Sequence, residues 1–172
     1  MKRILLIVLL VASAIAFQTV AFAETEIDGF RGIKWGTDIS KMKEFTKVGV
    51  DPSFGGIDKY TKSGDSMSIG AASLDSIQYG CWHGKFSSVS IKTSGYSNFH
   101  ALLDTSKEKF GAPFQANKYI EKYFWPNSGT ALMLDYNKFS QVGSLFMGSK
   151  AISVEQTEFS RAKAREGANK GF

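Results

Sequence analysis

One cysteine in 172 residues, Cys81, excludes any disulfide within the chain, so burial and hydrogen bonding have to hold the fold. An oxidising compartment leaves that thiol only an intermolecular partner. Two histidines, His83 and His100, stand far apart with no paired cysteine, so a zinc site lacks ligands and no metal is expected. No glycine-rich run ends in Lys-Ser or Lys-Thr, and residues 51–58 lack the alternating acids of a calcium loop. Gly95-Tyr96-Ser97 begins like a serine nucleophile elbow, but Phe99 stands where the second glycine belongs. No cofactor signature is present. A one-signed body is missing too. The net charge of +5 comes from Lys2 and Arg3 at one end and from Arg161, Lys163, Arg165 and Lys170 beside Glu166 at the other. Residues 24–159 hold equal numbers of acidic and basic side chains, which excludes the basic face of a nucleic-acid-binding domain.

What is present begins with export. Lys2 and Arg3 precede the apolar run 4–17, and Ala21-Phe22-Ala23 offers the small residues of a cleavage site. A secretory signal over 1–23, cleaved before Glu24, predicts a periplasmic or secreted protein. The competing reading is an uncleaved anchor, since residues 4–23 are about long enough to span a bilayer at ~1.5 Å per residue. No cysteine follows the run, so a lipid-modified N-terminus is excluded.

With 43% hydrophobic and 13% aromatic residues, the rest can bury one core, and a single domain over 24–166 is expected. The clearest element is a helix over 97–110, with Phe99, Leu102, Leu103, Ser106 and Phe110 at helical spacing, Ser97 as cap, and Gly111 and Pro113 as stop. A short helix over 38–45 is expected to carry Ile39, Met42 and Phe45. A helix over 153–166, opened by Ser153 and Gln156 as a capping box, has its acids early and its cations late. Residues 167–172 read as a flexible basic tail. Between the helices, 57–62 with 66–71, 75–82 with 85–93, and 119–125 with 130–136 read as hairpins, and 143–149 reads as a last strand; 47–56 reads as a loop. The fold class predicted is α+β, with an antiparallel sheet of about six to seven strands.

Two resemblances follow from short motifs. Trp35-Gly36-Thr37 leading into one helix and Phe110-Gly111-Ala112-Pro113 leaving another resemble the helix-then-meander layout of outer-membrane assembly lipoproteins and beta-lactamase-inhibitor proteins. Gly32-Ile33-Lys34-Trp35-Gly36 is similar to the wording of small exported bacterial proteins with no assigned activity. Neither resemblance transfers a functional residue.

Register arguments give the candidate site. A three-residue loop 82–84 places Ile77, Tyr79 and Cys81 on one face with Val89 and Ile91, and sets Trp82 and Phe86 on the other. A two-residue His83-Gly84 loop would split those apolar residues between faces. A four-residue turn 126–129 pairs Trp125 with Thr130 and Tyr123 with Leu132, so Phe124 and Met133 share the opposite face. Both hairpins are then apolar on two sides, and something must cover the second. The cover is either a helix of the same chain or a hydrophobic ligand, peptide or envelope protein seated on Trp82, Phe86, Phe124 and Met133. Arg161, Lys163 and Arg165 are either complements to the helix dipole or a peripheral contact with an anionic membrane surface. The function expected is therefore a non-enzymatic envelope domain that binds or scaffolds, with no catalytic residue assigned. The alternative is a small hydrolase or thiol enzyme whose groups converge only in the fold. Cys81 and His83 are its nearest pair, though Cys81 faces the core and His83 the turn.

Overall fold

The computed structural model describes residues 26–126 and 129–171, so the signal segment 1–23 lies outside the described residues. In chain order the strands are β1 (Gly29–Phe30), β2 (Ile33–Lys34), β3 (Phe45–Asp51), β4 (Ile57–Lys62), β5 (Ser68–Ile69), β6 (Ala72–Ser73), β7 (Ser76–Trp82) and β8 (Lys85–Ser94). Helix α1 (Tyr96–Phe110) follows, then β9 (Lys122–Trp125), β10 (Thr130–Asn137), β11 (Val142–Ser149) and α2 (Lys150–Gly171). Seven strands form one antiparallel sheet in the order β3-β4-β7-β8-β11-β10-β9, while β1-β2 and β5-β6 are two-stranded ribbons. The last strand of each half, β8 and β11, meet at its centre. The α+β class with an antiparallel sheet is thus the observed architecture.

One sheet face is the core. Tyr60, Tyr79, Val89, Met147 and Leu132 form one cross-strand row, and Ile77, Ile91, Leu145 and Leu134 the next. Phe99, Leu102, Leu103 and Ser106 of α1 are buried in the same core, on the face their spacing predicts. A fully buried side chain of this size contributes about 1.5–3 kcal/mol, so α1 is held by the sheet rather than by its own propensity.

The β7–β8 hairpin keeps the expected facing by a different route. Its loop is only His83 and Gly84, both left-handed (φ 47° and 77°), the backbone of a two-residue turn matched to strand twist. A bulge between Gly80 and Cys81 then restores the register: Gly80 pairs with Ser88, but Cys81 pairs with Phe86. Tyr79 and Val89 therefore still share the core face. Phe86 joins them there, fully buried, and not Trp82 on the far side. In the later hairpin Trp125 pairs with Leu132 and Tyr123 with Leu134, two residues from the expected register. A slip of two keeps every side chain on its face.

Other expectations are corrected. The helix over 38–45 is a single 3-10 turn, Ile39–Lys41, because Phe45 already pairs with Lys62 as the first residue of β3. That strand occupies the first half of the expected loop 47–56. Residues 66–71 do not pair with β4, whose neighbours are β3 and β7. Ser97 lies inside the first turn of α1, which Gly95 opens without a side-chain cap. α2 begins before Ser153, at Lys150, where the Ser149 hydroxyl accepts from the Ile152 N–H (3.3 Å). It also runs on to Gly171, so 167–171 is helical.

Candidate functional site

Residues 26–36 cross the core side of the sheet as a strap made of the β1-β2 ribbon. Its tip is fixed by Arg31, whose guanidinium donates to the Asp65 carboxylate (2.5 Å) and to the carbonyls of Ser66 (2.8 Å) and Ser68 (3.0 Å). The buried Tyr79 hydroxyl donates to the other Asp65 oxygen (2.6 Å). Burial first, then the Asp65 carboxylate, raises the Tyr79 phenol above its ordinary range. The base of the strap is fixed as firmly. The Trp35 indole N–H donates to the Thr130 hydroxyl (2.8 Å), and that hydroxyl donates to the Ile27 carbonyl. Trp35 also packs on Phe86 at 4.7 Å between rings.

Between this strap and the C-terminal half of α1 lies a cleft of about 620 Å³. Leu145 and Met147 of β11, Phe110 of α1, Ile69 of β5 and Ile27, Phe30 and Ile33 of the strap give it an apolar lining. A second cleft of about 490 Å³ lies on the strap's other side, toward the start of α2. The volume of the first is in the range of small-molecule sites.

Apart from the exposed Glu26 and Lys109, its polar side chains are already engaged. Lys34 pairs with Asp28 (3.1 Å) and Arg31 with Asp65. The hydroxyls of Thr105 and Ser106 donate to the α1 carbonyls of Ala101 (2.9 Å) and Leu102 (2.7 Å). A hydroxyl so committed, with no histidine in the lining, is not an activated nucleophile. The arrangement suits holding an apolar group.

Nor do the other reactive side chains converge. Cys81 is buried on the core face, and burial chiefly, with Asp38 and Asp58 adding, pushes its thiol up to about 11. His83 sits in the turn, stacked on Trp82 at 4.1 Å. His100 lies on α1 against Tyr96 (4.3 Å), its Nε2 buried without a hydrogen-bond partner among the described residues. Among the described residues no group of three His, Cys, Asp or Glu could hold a metal ion.

The second sheet face contains three of the four patch residues. Trp82 is covered: its indole N–H donates to the Phe54 carbonyl (2.9 Å), and Phe159 of α2 meets its ring edge-on at 5.9 Å. The Phe159 ring also occupies the space a side chain on Gly55 would need. Phe124 and Met133 are half-buried and directly paired across strands. They extend into a row that sequence reasoning missed, with Phe146 beside Met133 and Phe114 bridged to Phe124. Phe114 is 62% exposed and Phe146 38%. Alternation along 142–149 marks Phe146 as outward-facing. Phe114 had no such signal, because its pairing is an isolated bridge. α2 therefore covers the Trp82 end of this face and leaves the row open. Arg161, Lys163 and Arg165 all lie on the exposed far half of α2.

Family models, curated proteins and solved structures were compared with the chain, and none matches.

Proposed function

We propose that the chain is an exported domain of the cell envelope that binds a small apolar ligand in the cleft beside α1, without catalysis. The observation that carries this reading is the cleft itself. It is walled by a strap anchored at both ends, lined by aliphatic and aromatic side chains, and Asp28, Arg31 and Lys34 of the strap are held in ion pairs. A preformed site loses little affinity to ordering its walls, and apolar lining supplies the attraction. Peptides and envelope proteins presenting one apolar side chain belong to the same class of ligand.

Titration with the uncharged fluorophore N-phenylnaphthylamine tests the site. Saturable, blue-shifted emission is expected at one probe per chain. Ile69→Trp, which places a larger ring at a half-buried lining position, is expected to weaken that binding by about tenfold or more, equivalent to about 1.4 kcal/mol. Its unfolding temperature should stay within a few degrees of the parent's. Equal binding by the two proteins would move the site elsewhere. Export has its own measurement, since the intact mass of the secreted or periplasmic form is expected to begin at Glu24. A species retaining Met1 in a salt- and carbonate-resistant membrane pellet would establish the anchor instead.

A further inference from the structure

α2 makes its last ring contact with the domain at Phe159, which meets Trp82 and His83 edge-on. Beyond it, residues 161–170 are all exposed, so about three turns stand off the sheet, reaching ~15 Å at 1.5 Å per residue. This arm carries Arg161, Lys163, Arg165 and Lys170 against Glu166 alone, on a body whose charges balance. Complementation of the helix dipole accounts for Lys170, which lies in the last turn. It does not account for the arginines, because the effect fades within one turn of the end. Glu166 bonds Lys163 (3.3 Å) and Lys170 (2.6 Å), leaving Arg161 and Arg165 without an acidic partner among the described residues. Spaced i,i+4, the two guanidiniums lie on one side of the helix, an arrangement that slightly destabilises an isolated helix. Two unneutralised cations held off the body on a helix are placed for a partner.

We propose that this arm docks the protein on an anionic lipid bilayer, with Arg161 and Arg165 against lipid phosphates at headgroup depth. Guanidinium matches phosphate with paired hydrogen bonds, and a convex rod exposed all round fits a plane better than it tracks a polymer. Between Phe159 and Phe172 the sequence has no large apolar residue, so the contact at Arg161 and Arg165 is electrostatic and shallow. Glu158, one turn before Arg161, limits the contact to the far half of α2.

The test is co-sedimentation of the chain from Glu24 to Phe172 with vesicles of phosphatidylcholine, with and without phosphatidylglycerol. Binding is expected only to the anionic vesicles, and it should fall steeply as the Debye length shrinks from about 30 Å to about 8 Å with added salt. Arg161→Gln with Arg165→Gln is expected to lower the partition coefficient by roughly tenfold or more, since each basic residue near an anionic surface contributes about 1 kcal/mol. The variant's unfolding temperature should not move, because neither side chain touches the domain. Three results would each overturn the proposal: no binding to anionic vesicles at low salt, undiminished binding by the double variant, or equal binding to neutral vesicles. Soluble polyglutamate that binds as tightly as vesicles at matched charge would assign the arm to an acidic polymer instead.

Discussion

Asp65→Ala is expected to destabilise the protein by about 3 kcal/mol and to loosen the cleft at the same time. The Asp65 side chain is 8% exposed and that of Arg31 22%, so removing the acid leaves a largely desolvated guanidinium with only two carbonyls. Breaking a buried pair in this way costs about 3–5 kcal/mol, and the partial exposure of Arg31 puts this case at the lower end. The Tyr79 hydroxyl, on a residue with no exposed surface, loses its acceptor as well. A second effect follows from the backbone. Arg31 holds φ at 49°, a left-handed conformation that costs a non-glycine residue energy, and its side-chain bonds keep it there. Without them the strap tip can lift from the 65–68 segment, and the wall formed by Phe30 and Ile33 becomes mobile. The urea midpoint should fall accordingly, and N-phenylnaphthylamine should bind more weakly even where the variant is fully folded. Tyr79→Phe is the control, because it removes one hydrogen bond and leaves the ion pair, for a cost of about 1 kcal/mol. If Asp65→Ala proves no worse than Tyr79→Phe, the ion pair is not what holds the strap.

Side-chain facing was legible in the sequence where hairpins are local, because facing depends only on parity. The expected registers of both hairpins differ from those observed, yet Ile77, Tyr79, Cys81, Val89 and Ile91 share the core face. The exception, Phe86, shows the limit of the argument. A bulge adds one residue to one strand and reverses parity beyond it, and nothing in Lys85-Phe86-Ser87-Ser88 announces it. β3 was hidden for a different reason. It is an edge strand with Val48 and Val50 more than half exposed, its ladder with β4 is interrupted at Val48, and Pro52, Gly55 and Gly56 follow. Local pattern therefore reads as loop, and only the pairing with β4 makes a strand of it. The cleft was beyond reach altogether. It is assembled from residues 26–34, Ile69, the end of α1 and β11, and Asp65 meets Arg31 across 34 positions of sequence. Polar residues brought together over that distance leave no spacing to read.

Alkali should unfold this protein in a step that begins at its one thiol. Burial is the main cause that pushes Cys81 from 9.0 up to about 11; Asp38 and Asp58 add to it, Asp58 lying directly across from Cys81 on β4. The folded value lies above the unfolded one, so the fold favours the protonated thiol. Its contribution is fully present below about pH 9 and is lost as pH rises through about 11. A shift of this size corresponds to on the order of 2 to 3 kcal/mol at 1.36 kcal/mol per unit. Tyr123, hydrogen-bonded to Glu121 and raised to about 12 chiefly by burial, and Tyr79 extend the loss above pH 10. Cys81→Val separates the thiol from the tyrosines. At pH 8 it should change stability by no more than about 1 to 2 kcal/mol, the range of a modest core substitution. Between pH 9 and 11 the parent should then lose about 2 kcal/mol that the variant does not, read as diverging urea midpoints, with both proteins sharing the later tyrosine loss. Parallel curves, or rapid reaction of the native thiol with a bulky reagent at pH 8, would mean that Cys81 is open to solvent. That would return it to the list of candidate reactive groups.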